Sequence, residues 1–153
     1  VWAEKGTRPA AVRQQQFQSV CVFGAVCPAN DASAGLVMPH ANTEVTETHP
    51  QMISDEVPAG RHALIVSDRA SRHTTPKLGC PENISLLPLP ACSPELNPTE
   101  QVWEQLRHDS LSNRCFETYE AIADACCEAW NFFTGAPDNI KSLCSRKWAY
   151  VAG

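Results

Sequence analysis

The sequence has no run near the roughly 20 consecutive apolar residues that a membrane-spanning helix needs. It has no charged-then-apolar leader either; it opens Val1-Trp2-Ala3-Glu4-Lys5. Without an initiator Met, the reading frame is expected to extend upstream. Basic residues are scarce: 12 Lys and Arg against 17 Asp and Glu give a net charge of −5. That balance excludes a strong general DNA binder, which carries a basic patch. The eight cysteines contain no C-x-x-C pair, so a zinc ribbon is not indicated. The chain is too long for a disulfide mini-protein. The thiols therefore read as reduced, in a cytoplasmic protein, and mostly as small buried hydrophobes. Internal repeats and low-complexity tracts are also missing.

What is present suits one domain with a real core: 153 residues, 43% of them hydrophobic. Its most structured stretch is Ser93-Pro94-Glu95-Leu96-Asn97-Pro98-Thr99-Glu100-Gln101-Val102-Trp103. Asn97 is a good N-cap, because its side-chain oxygen can accept a first-turn amide. Pro98 suits the first helical position. Val102, Trp103 and Leu106 form an apolar stripe. Glu100 falls at the third helical position, where a glutamate ordinarily closes a capping box. A second signal changes its meaning. His62-Ala63-Leu64-Ile65-Val66-Ser67-Asp68 is a short apolar run ending in an aspartate. It reads as a buried strand, and ligands collect at the carboxyl ends of parallel strands. A strand-end aspartate and a helix-start glutamate are parts of a carboxylate metal site.

With these residues the sequence resembles the DDE-type transposases of the IS630/Tc1/mariner superfamily. Residues 93–100 with Trp103 resemble that family's third-acid motif, with Pro, Asn, Pro, Glu and Trp in register. Asp68 with Arg69, Ala70 and His73 resembles the second-acid motif, although Arg72 stands where an aromatic is usual. The resemblance implies an RNase H-like α/β fold, a mixed sheet flanked by helices. It implies Asp68 as the ligand bridging two divalent ions, Mg²⁺ or Mn²⁺, and Glu100 as ligand of one. Such ions, about 4 Å apart, activate the attacking oxygen and stabilise the leaving one. His73 could assist proton transfer or orient a phosphate; a structural role fits it as well. The implied partners are transposon-end and target DNA, with a possible homodimer, in a bacterial cytoplasm. The first acid has no candidate of the right context, so its strand, the central one of the sheet, is expected before residue 1. Asp31 is the nearest alternative acid, and turn chemistry accounts for it.

The whole chain reads as a single partial catalytic domain over residues 1–153. Residues 1–16 form a connection. Residues 17–27 are a strand apolar on both faces, to be covered on both sides. After the turn at residues 28–31, residues 36–38 return as a hairpin strand. Residues 42–57 show helical spacing interrupted by Pro50, so a kink or a restart is expected there. The strand at residues 61–68 then follows a strand and a helix, which favours parallel pairing through a crossover. Residues 84–87 supply a further strand, and the Glu100 helix runs to about residue 110. There Arg107 can pair with Glu104. Residues 113–153 form a helical part, with helices over 117–134 and from Pro137. It ends in a basic-aromatic cluster of Lys141, Arg146, Lys147 and Trp148. The leading function is metal-dependent cleavage and strand transfer at transposon ends in the intact protein, the 153-residue chain being inactive alone. Two alternatives stay open: a non-catalytic remnant acting as an interaction module, and a stand-alone RNase H-like nuclease.

Overall fold

The computed structural model of the protein describes residues 19–40, 43–68, 80–112 and 114–149. Over these it is a mixed α/β structure of small sheets flanked by helices, consistent with a partial RNase H-like fold. Strands β1 (Cys21–Cys27) and β2 (Ala32–Met38) form an antiparallel hairpin whose register runs from Cys21↔Met38 to Cys27↔Ala32. The strand β2 is longer than residues 36–38. Its first half, Ala32-Ser33-Ala34-Gly35, has little strand propensity of its own and is drawn into the ladder by β1.

That first half has a purpose in the packing. Gly24 and Gly35 are cross-strand partners. A Cβ built on Gly24 would lie 2.5 Å from the Trp130 ring and 2.6 Å from that of Trp103. One built on Gly35 would lie 2.5 Å from the Trp130 ring nitrogen. The glycine pair is a floor on which two indoles rest, with ring centroids 5.7 Å apart. The opposite face carries Phe23, whose ring centroid is 6.2 Å from that of His49 in helix α1 (Thr43–Glu56). His49 Nε2 also lies 3.2 Å from the Ala34 carbonyl oxygen. The hairpin is thus covered on both faces, as its apolar alternation requires. Pro50 lies inside α1, which passes through it as one helix rather than restarting. Packing of α1 on β2 offsets the roughly 3 kcal/mol that an interior proline costs.

Strands β3 (Ala63–Ser67) and β4 (Ile84–Pro88) pair in parallel, from Ala63↔Ile84 to Ser67↔Pro88. The crossover partner of β3 is therefore β4. Among the described residues the hairpin strands pair only with each other, which corrects the expected pairing through α1. Among the described residues the two pairs form separate two-stranded sheets. The Ser54 hydroxyl in α1 donates to Asn83 Oδ1 at 2.7 Å and ties α1 to the entry of β4.

The core lies among the later helices. Val102 and Leu106 come from α2 (Thr99–Leu106), and Ala129, Trp130 and Phe133 from α3 (Tyr119–Gly135). Ile140 and Cys144 come from α4 (Asn139–Cys144). Beyond Leu106 the helix widens into a π-helical turn over Arg107–Leu111. There Arg107 Nε donates to the Trp103 carbonyl at 3.1 Å, and no Glu104–Arg107 ion pair forms. All eight cysteines are free thiols. Only Cys126 and Cys144 are buried; Cys27, Cys80, Cys92, Cys115 and Cys127 are exposed. The expectation of mostly buried thiols is corrected, because most of them fall on loops or on a solvent-facing helix side. Among the described residues no helix is long and apolar enough to cross a membrane.

Candidate active site

Glu100 is positioned by the local chemistry of its own loop. The segment Pro94–Leu96 is a 3₁₀ turn. Pro98 already has helical dihedrals, φ −65° and ψ −16°. The Asn97 Oδ1 accepts the Thr99 N–H at 3.2 Å, so Asn97 caps α2. The apolar side of the helix, Val102 and Leu106, is buried, and this turns Glu100 to solvent. Among the described residues its carboxylate closes no capping box, so the ordinary role of a glutamate at this position is not the one taken.

Asp68 follows the last residue of β3 and is exposed. Because β3 and β4 are parallel and in register to their ends, the chain leaves both strands on the same side. The Leu89 N–H donates to the Ser67 carbonyl at 2.7 Å. The segment that leads to Glu100 therefore starts bonded to the residue before Asp68. His73, with Arg69 and Ala70, lies outside the described residues.

Asp31 is not a substitute for the first acid. Its Oδ2 accepts the Asp138 N–H at 2.8 Å and its Oδ1 the Lys141 N–H at 3.2 Å. Asp138 itself has φ 61° and gives α4 no side-chain cap. The hairpin turn thus caps that helix from a distance, and both oxygens are committed. Among the described residues no group of three His, Cys, Asp or Glu side chains is placed to hold a metal ion.

Two carboxylates whose chain segments leave the carboxyl ends of paired parallel strands are an arrangement found in metal-dependent nucleases as well as in binding proteins. A family model described as DDE superfamily endonuclease matches residues 1–123. The chain belongs to the DDE endonuclease superfamily. This places it with nucleases of the transposase type. Enzymes of the superfamily generally use divalent metal ions, and DDE transposase domains generally bind DNA. The DDE endonuclease chain is also similar to the uncharacterized protein y4pE/y4sA of Sinorhizobium fredii (strain NBRC 101917 / NGR234). The two are 46% identical over 129 residues, covering 84% of this chain and 96% of that protein. No solved structure matches the chain.

The DDE match ends at residue 123, yet the core continues to Cys144. One connection across that boundary was not visible in the sequence. Arg146 Nη2 donates to Gln101 Oε1 at 2.6 Å, next to Glu100. The Gly24–Gly35 pair was also missed. A hairpin register drawn from the turn at residues 28–31 would have placed the two glycines opposite each other.

Proposed function

We propose that the chain is the catalytic part of an IS630/Tc1/mariner-like transposase, which cleaves phosphodiesters at transposon ends and transfers strands to target DNA. The observation that carries this reading is the Leu89–Ser67 bond. It joins the exits of two parallel strands, one leading at once to Asp68 and the other to Glu100. Both donors are hard carboxylate oxygens on solvent-facing residues. Mg²⁺ is usually held by one or two carboxylates, with water and phosphate oxygens completing the shell. The donor set therefore fits such an ion, and in this reading Asp68 and Glu100 hold it. When bound, divalent ions supply activation of the attacking oxygen and charge stabilisation at the leaving one. The N-cap at Asn97 and the buried stripe of α2 hold Glu100 in place, and the Ser67–Leu89 bond fixes the start of Asp68. His73 is assigned proton transfer or phosphate orientation. In this reading a third carboxylate completes the site, and the described residues place none with Asp68 and Glu100.

The test is Mn²⁺ titration calorimetry on the chain and its Asp68→Asn and Glu100→Gln variants. Loss of a group that merely supports a ligand typically weakens metal affinity 10–100-fold, so loss of a direct ligand should cost at least about tenfold. Mn²⁺ affinity unchanged in both variants would remove the metal site from this reading.

A further inference from the structure

The C-terminal turn is tied to the start of α2. Arg146 is half-buried, and it donates from Nη1 to the carbonyls of Leu143 at 3.0 Å and Ser145 at 2.9 Å. Its Nη2 reaches Gln101 Oε1. Helix α4 beneath it is anchored by Ile140 and Cys144, 0% and 1% exposed. So the position of the turn relative to α2 is set by packing as well as by the guanidinium bonds.

Beyond this strut, Lys147–Ala149 form a 3₁₀ turn, closed by the Ala149 N–H donating to the Arg146 carbonyl at 3.1 Å. Lys147 is exposed, and among the described residues it forms no ion pair. Trp148 is 47% exposed, whereas Trp103 and Trp130 are packed against each other on the glycine floor. A half-exposed indole next in sequence to an exposed lysine is what a nucleic-acid strand uses. The ring offers a stacking surface and the cation meets a phosphate.

We propose that the Lys147–Trp148 turn is a DNA contact that seats a substrate strand beside the first turn of α2, where Glu100 stands. Lys147 takes a backbone phosphate and Trp148 stacks on a base. The placement beside a reacting phosphodiester rests on the metal-site reading of Glu100; the DNA contact itself does not. Because the chain carries a net charge of −5, long-range attraction is absent and the contact is local. The salt dependence of binding is therefore shallow, with few phosphates neutralised.

The experiment is fluorescence anisotropy of a labelled DNA duplex with a short single-stranded overhang, titrated with the full chain in EDTA at several salt concentrations. Lys147→Gln should reduce the slope of log affinity against log salt by about 0.7–0.9. Trp148→Ala should weaken binding at least about fivefold, the loss of one stacked base. Both residues are exposed, and unchanged circular dichroism will show that the variants fold. Wild-type affinity in both variants, or no binding of the probe by the wild-type chain at low salt, overturns the proposal. So does binding that depends on these two residues for phosphatidylserine vesicles but not for DNA. The parallel Mn²⁺ titration is read without DNA. If it fails while the anisotropy behaves as expected, the metal-site reading falls and the DNA contact stands.

Discussion

At the scale of single residues, the tightest constraint on any glycine among the described residues falls on two side chains that are absent. Gly24 and Gly35 each leave no room for a methyl group under the Trp130 ring. That ring is itself in the buried core and has nowhere to retreat. We expect Gly24→Ala and Gly35→Ala each to destabilise by about 1–3 kcal/mol, the usual cost of overpacking. Gly135 is the control, because a methyl group there would meet nothing within 4 Å; Gly135→Ala should be neutral or mildly stabilising. Urea unfolding of the three variants checks this. Two thiols give a second prediction. Burial, and secondarily the neighbouring Cys127, pushes the Cys126 thiol above its ordinary value of 9.0. Burial does the same to Cys144, partly offset by Arg146. The folded state thus holds protons that the unfolded chain has released, so stability falls as pH rises above about 9. Below that range these thiols contribute no pH dependence. Urea midpoints should decline from about pH 8.5 to about pH 10, and Cys126→Ala with Cys144→Ala should flatten the decline.

At the scale of elements, the hairpin and the last helix are one unit through Asp31. Helix α4 is six residues long, too short to form by itself. The Lys141 N–H of its first turn, and the Asp138 N–H just before it, find their acceptor in the β1–β2 turn. Asp31 has φ 60°, a conformation that Asp and Asn tolerate better than most residues. Asp31→Ala should therefore lose the cap and strain the turn, costing about 1–2 kcal/mol. Asp31→Asn keeps one acceptor and should lose less. Hydrogen exchange at the α4 amides will rise in Asp31→Ala ahead of exchange in α3 if this link is what holds the helix. Arg146 makes the second link of the same kind, from the end of α4 back to α2.

At the scale of the whole molecule, β1 and β3 each have one hydrogen-bonded neighbour among the described residues. The β3–β4 pair also exposes apolar side chains on both faces. Leu64, 60% exposed, and Leu87 lie on one face, and Leu86 lies on the other. Strand edges unpaired among the described residues, beside exposed leucines, favour association with other chains. We expect the 153-residue chain to self-associate, and to show no Mg²⁺- or Mn²⁺-dependent cleavage of transposon-end DNA by itself. Size-exclusion chromatography will show the self-association as species larger than one chain. Metal-dependent nicking by the 153-residue chain, abolished by Glu100→Gln, would contradict this and require another acid within it.

The parts whose causes are local could be read from the residues alone. The Asn97 cap, the Pro98 start, the apolar stripe of α2 and the apolar run ending in Asp68 each follow from neighbours a few residues away. The alternation of β1 likewise foretold that both of its faces are covered. What depends on distant partners became visible only in the folded molecule. Strand β3 took β4 as its neighbour because a ladder forms with whichever edge packing brings alongside, which alternation cannot encode. Asp31 became the cap of a helix more than a hundred residues later, and Arg146 a strut to Gln101, because folding placed a carboxylate and a guanidinium beside groups left unsatisfied. The glycine pair became a floor for Trp130 because only the packed indole gives two missing methyl groups a meaning.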